Sequence, residues 1–249
     1  MSESSAWPKG YALKHFDDID STNEEARRLA AAGERGPVWI AADRQSAGRG
    51  RRGRNWDSPT GNLAATLFLR PERLAADCAQ LSFVAAVAAS DMMSRYAGAA
   101  AIRVKWPNDV LADGRKIAGI LLESSSAGGV RLDWLAVGIG ANLAVYPEGM
   151  EFPAISLAAL GVVPPSPRDA VASLAAAWAK WYELWLQRGF GEIRDVWLSR
   201  AAGLGTRIRA RLQNEESHGV FEGIDASGAL ILRESRDRTR TISAGEVFF

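Results

Sequence analysis

Asp43–Asn62 reads DRQSAGRGRRGRNWDSPTGN, and the fold turns on how this stretch is read. Gly48, Gly50 and Gly53 spell GxGxxG, the pattern of a dinucleotide-binding turn. Such a turn needs a helix to start at the glycines, so that its N-terminus meets the pyrophosphate. Here the glycines run into RNWDSPTGN, where Pro59 and Gly61 forbid a helix, and this context argues against a Rossmann unit. What remains is a loop crowded with Arg49, Arg51, Arg52 and Arg54. Guanidinium groups so close together repel one another and resist burial, which predicts an exposed, mobile segment. A polyanion would order it: glycine lets backbone N–H groups close on the charge, and arginine supplies a permanent fork of donors. An RNA-binding arginine patch is the weaker reading, because supporting aromatics and net charge are lacking.

Working outward, Val38–Ala42 reads as a buried strand entering the loop and residues 62–69 as the strand leaving it. Before them, Ser21 or Thr22 followed by Glu24 or Glu25 makes a capping box for a short helix ending at Gly33. Residues 80–97 predict an apolar helix, with Leu81, Val84, Ala85, Ala88 and Met92 on one face. Residues 102–106 and 132–143 predict strands. Between them, Asp113-Gly114 is a strong hairpin signal. A long helix is expected from Ser166-Pro167 to Gly189, and the stripe of Trp178, Trp181 and Trp185 reads as core rather than as a ligand-stacking box. A second helix follows at 192–201. From Thr206 the pattern changes to short alternating segments, which predicts a small SH3-like β-barrel. The expected division is 1–203 and 204–249, in the α+β class.

The chain has 249 residues and a formal net charge of +1, so the positive charge of the loop is local. One cysteine, Cys78, excludes an internal disulfide and a structural zinc site. The N-terminal MSESSAWPKG lacks a signal-peptide pattern, and no apolar run is long enough to span a bilayer. A soluble cytoplasmic protein is the expectation. Lysine is rare, and Lys105 and Lys116 fall within one short segment.

Two further clusters carry chemistry. In Lys105-Trp-Pro-Asn-Asp109 and Gly114-Arg-Lys-Ile-Ala-Gly119, Asn108 and Asp109 sit at a strand end, where side chains reach a ligand on the sheet. Asp109 is a candidate for holding Mg²⁺ or a hydroxyl, or a plain turn cap. In Gly138-Ile-Gly-Ala-Asn142 the glycines permit close approach of a ligand to the backbone, and the Asn142 amide can read an adenine edge.

In this order and spacing, Asp20-Ser-Thr-Asn23, the arginine loop with Trp56, Lys105–Asp109, Gly114–Gly119 with Glu123, and Gly138–Asn142 resemble the biotin protein ligases in their short form. The resemblance implies a mixed-sheet catalytic domain and a two-step reaction. Biotin and ATP, with Mg²⁺, form biotinyl-5′-adenylate, which then acylates a lysine of a carboxylase's biotin carboxyl carrier domain. It implies biotin contacts from Ser21, Thr22, Asn23, Gln45, Arg49, Gly50, Arg51, Lys116, Gly138 and Gly140. It implies ATP contacts from Arg51, Arg54, Trp56, Asn108, Asp109, Lys116 and Asn142, with Lys116, Arg49 and Arg51 as the catalytic cations. Ala64 departs from the family, which often carries an aromatic there. About 20 residues precede the Ser-Thr-Asn motif, too few for a winged-helix domain, so no operator binding is expected; a homodimer stays open. The alternatives are a lipoate-protein ligase or a non-catalytic binder of biotin or nucleotide.

Overall fold

The computed structural model describes residues 7–126 and 128–249; the first six residues of the N-terminal stretch read above lie outside them. In chain order the first half runs β1 (Ala12–Ile19), α1 (Thr22–Ala31), β2 (Val38–Gln45), β3 (Leu63–Leu69), α2 (Ala75–Cys78) and α3 (Leu81–Tyr96). It continues with β4 (Ile102–Lys105), β5 (Asp109–Ala112), β6 (Arg115–Ser125) and β7 (Trp134–Ala141), then α4 (Pro167–Arg188) and α5 (Phe190–Ser199). The seven strands make one sheet in the order β1-β2-β3-β7-β6-β5-β4. Only β1 and β2 run parallel, joined through α1.

Alternation along β3 divides the sheet. Leu63, Ala65, Leu67 and Leu69 join the large core under α3 and α4, while Phe68 packs with Ala26, Leu29, Val38 and Ile40 beneath α1. The site therefore lies on the α1 face. α3 is buried almost all round rather than on one face, because α4 and α5 cover the side the sheet does not. Ser166 caps α4 by accepting from the Asp169 N–H, with Pro167 in the first turn. Trp178, Trp181 and Trp185 are buried in the core, as their spacing implied. Asp113 and Gly114 both take positive φ (47° and 75°), the two-residue turn expected between β5 and β6.

The C-terminal strands β8 (Arg207–Arg211), β9 (Glu216–Ile224), β10 (Leu230–Ser235), β11 (Arg238–Ile242) and β12 (Glu246–Phe248) form a separate antiparallel sheet. Its order is β11-β10-β9-β8-β12, and among the described residues no β11–β12 pairing closes it into a barrel. Sequence reading missed β1, where Leu13, Phe16 and Ile19 recur every third residue, and β12, which has three residues.

Candidate active site

Strand register lays out the floor of the cleft. Ala42 pairs with Ala64, Ala64 with Gly140, Gly140 with Gly119, Gly119 with Asp109, and Asp109 with Lys105. This row crosses six strands and forms a trough of small residues with a charged end. The next row, Ile40, Thr66, Gly138 and Leu121, borders the N-terminus of α1. A register shift between β5 and β6 lets Lys116 share a face with Gly119, three residues on. A Cβ on Gly119 would lie 3.3 Å from the Lys116 Nζ.

At the charged end, Asp109 is buried between two ammonium groups, Lys105 Nζ at 2.9 Å from Oδ2 and Lys116 Nζ at 2.6 Å from Oδ1. Burial pushes its carboxyl upward, but Lys116 and Lys105 outweigh burial and hold it below the usual carboxylate range. Oδ1 makes no well-aligned hydrogen bond despite the short distance to Lys116, so that contact is chiefly an ion pair. Both Asp109 oxygens face ammonium groups here, so a Mg²⁺ ion bound to Asp109 would have to displace one of them. His15, Asp17 and Asp43 also come close enough to share a cation, but they lie at the β1–β2 edge, outside the cleft.

At the other end, the N-terminal turn of α1 points its polar side chains inward. Ser21, expected in a capping box, makes no side-chain cap and is buried at the cleft wall. Thr22 donates to Gln45 Oε1 from both its N–H (2.8 Å) and its hydroxyl (3.0 Å), and Gln45 donates on to Ser58 (2.7 Å). Asn23 Nδ2 donates to Glu123 at 2.7 Å, and Thr66 donates to Asn23 Oδ1 at 2.6 Å.

The arginine loop is folded down over this trough. It forms a β-ribbon, with Gln45 bridged to Ser58 and Arg49 to Asn55, closed by a 3-10 turn at Arg51–Gly53. A Cβ on Gly48 would sit 2.3 Å from the Trp56 carbonyl oxygen, so this glycine serves the ribbon's own close approach. The Gly50 N–H, expected to be free for a polyanion, donates to the Arg54 carbonyl at 2.7 Å. Arg51 is half-buried, contrary to the expected exposure of all four arginines, and donates to Asn108 Oδ1 at 3.1 Å. Burial, then the charge of Arg52, draws its pKa below the ordinary arginine value. Arg49 pairs with Glu24 at 3.1 Å, and Arg54 with Glu246 at 2.6 Å.

The glycines of β7 face occupied space. Asn23 lies over Gly138, where a Cβ would come within 2.3 Å of its Oδ1, and the Trp56 indole lies within 2.3 Å of a Cβ on Gly140. The closest approach at these glycines is thus to the protein's own Asn23 and Trp56. Lys116 Nζ stands 5.4 Å from the Trp56 ring centroid. Asn142 is buried at the cleft wall and gives its amide to the Ile155 carbonyl at 3.1 Å. All fifteen candidate residues line one cavity of about 230 Å³. Sequence reasoning quoted Lys105 and Glu123 within its motifs and read Glu24 as part of a helix cap, but gave none of them a site role; Thr66 and Glu246 it missed altogether.

Residues 16–142 match the biotin/lipoate A/B protein ligase family, and residues 203–249 match the biotin protein ligase C-terminal domain. The chain is 50% identical over 244 residues to a biotin–[acetyl-CoA-carboxylase] ligase of Paracoccus denitrificans, covering 92% of this chain and 97% of the relative. It is 32% identical to the bifunctional ligase/repressor BirA of Bacillus subtilis over 94% of this chain and 73% of that protein. The biotin protein ligase of Aquifex aeolicus, solved in complex with biotin and ATP, superposes with a TM-score of 0.80 at 26% identity, covering 95% of this chain and 97% of that one. A trough with a polar pocket at one end and paired lysines at the other, under an arginine lid, thus sits in a chain that belongs to the biotin protein ligase family.

Proposed function

We propose that the cleft adenylates biotin and passes it to a lysine of a carboxylase's biotin carrier domain. The observation that carries this is the convergence of Arg51, Lys105 and Lys116 at one end of a trough whose other end is the Thr22–Asn23–Gln45 pocket. In the first step a biotin carboxylate oxygen attacks the α-phosphorus of ATP, and pyrophosphate leaves with the electrons of the broken P–O bond. In the second, the carrier lysine's amine attacks the acyl carbonyl and AMP departs.

The first step brings an anion to a polyanion. Fixed cations at the developing charge answer that repulsion, and the loss of one such donor costs about 3–4 kcal/mol. Lys116 suits the role because its pairing with Asp109 is close but poorly aligned, so it can exchange toward a phosphate. Lys105, buried behind Asp109, supplies a second charge to the same end. ATP enters as its magnesium complex in this reading, the metal held by substrate oxygens and not by Asp109. The ribbon over the trough would keep water from the mixed anhydride. Trp56, now on Gly140, lies where nucleotide and acyl chain would meet, and it moves or stacks as they enter.

The test is ATP–pyrophosphate exchange with Mg²⁺, with biotin, with lipoate and with neither. Biotin-dependent exchange supports the proposal. Exchange with lipoate alone assigns the cleft to the sister chemistry, and no exchange from folded protein leaves a binder.

A further inference from the structure

One carboxylate oxygen at the head end of the cleft joins its floor to its lid. Glu123 Oε2 accepts from Asn23 Nδ2 at 2.7 Å and stands 3.6 Å from Arg49 Nη2. A carboxylate can only accept, so the Asn23 atom facing it is the amide nitrogen, and the oxygen turns to the Thr66 hydroxyl. The amide is held against the backbone at Gly138, with a donor on one side and an acceptor on the other. Its orientation is therefore set by Thr66 and Glu123 together. The lid side of the contact is electrostatic: 3.6 Å is an ion-pair distance without a hydrogen bond. The other carboxylate near Arg49, Glu24, is already shared with Arg27. Glu123 thus supplies Arg49 with a charge fixed on the sheet itself, in register opposite Ala136.

We propose that Glu123 is a positioning residue which orients Asn23 in the head pocket and pins Arg49, so that the lid stays closed over a bound adenylate. This rests on the biotin-adenylating reading above. The two halves of the role separate by substitution. Glu123→Gln keeps an oxygen acceptor for Asn23 but removes the charge opposite Arg49; Glu123→Ala removes both.

The experiment forms the adenylate from biotin and ATP without any acceptor protein, then follows its release after dilution alongside the biotin KM. Glu123→Ala is expected to raise the biotin KM about ten-fold, a loss of about 1.4 kcal/mol, while Glu123→Gln returns it to within about two-fold of wild type. Both variants release the adenylate about ten-fold faster, and raising the salt narrows the gap to wild type because screening weakens the Arg49 contact in wild type alone. If wild type forms adenylate and Glu123→Gln releases it at the native rate, the lid assignment is overturned and the functional reading stands. If both variants raise the biotin KM equally, the orienting half of the role fails. If wild type forms no adenylate from biotin, the functional reading falls and takes this inference with it.

Discussion

Asp109 shows how one buried acid can set the charge of a whole site. Its carboxylate lies between two ammonium groups, one of them, Lys105, only 5% exposed. Removing the charge of one partner in such a cluster leaves the others buried without compensation, at a cost of about 3–5 kcal/mol. Asp109→Asn is therefore expected to destabilise the protein by about 3 kcal/mol in urea unfolding, discounted toward the low end because Lys116 is partly exposed. A metal-ligand role predicts otherwise: altered Mg²⁺ dependence with unfolding unchanged. Lys116 carries the complementary prediction. Lys116→Ala leaves Asp109 still paired with Lys105, so the protein should stay folded while biotin-dependent pyrophosphate exchange falls about 100-fold or more, the scale of one lost electrostatic donor. Exchange at the native rate would remove Lys116 from the reaction.

At the scale of elements, the lid and β7 fit each other through missing side chains. The Trp56 ring lies where a Cβ on Gly140 would be, 2.3 Å from its atoms, and the neighbour is a bulky indole tied into a ribbon. Gly140→Ala should lift the lid: trypsin cleavage within Arg49–Arg54 speeds up and exchange falls at least about ten-fold, the thermal midpoint moving only a few degrees because overpacking a mobile cover costs about 1–3 kcal/mol. Unchanged protection from trypsin would mean that the ribbon is held elsewhere. The same contact marks the limit of sequence reading. The glycines announced close approach to the backbone, yet which group approaches depends on the register of β3, β7 and β6, and on the loop folding back over them. Signals confined to a few residues were legible, such as Ser166-Pro167 opening α4 and Asp113-Gly114 turning β5 into β6. β1 was not, because an edge strand buries too little to imprint a period of two. Lys105 and Glu123 stood in the motifs without a role for a further reason: their partners, Asp109 across a strand pair and Asn23 from α1, are brought to them only by the folded sheet.

Across the whole molecule, the lid is also tied to the C-terminal sheet. Arg51 donates to the Gly245 carbonyl at 3.4 Å, Arg54 pairs with Glu246 at 2.6 Å, and Glu246 pairs again with Arg211 at 2.6 Å. Arg211 reaches on to Glu151 at 2.7 Å, in the segment after β7. One carboxylate, Glu246, thus joins the ribbon, the C-terminal sheet and, through Arg211, the cleft's outer wall. Burial pushes its carboxyl upward, but Arg211 and Arg54 outweigh this and bring it from 4.5 down to about 2. The sign of the linkage follows. A depressed pKa means the unfolded state binds the proton more readily, so this contribution is complete above pH 4.5 and is lost as the pH falls toward about 2. Asp20, brought to about 2 chiefly by its hydrogen bond with Arg28, loses its contribution over a similar interval. Glu246→Gln removes one titration and leaves the other. The variant is expected to have a lower thermal midpoint than wild type at pH 7, with the gap closing steadily between pH 4.5 and 2 as wild-type Glu246 takes up its proton. If the gap persists unchanged to pH 2, the variant's loss is one of packing, and the ionic link between lid and C-terminal sheet contributes nothing to stability.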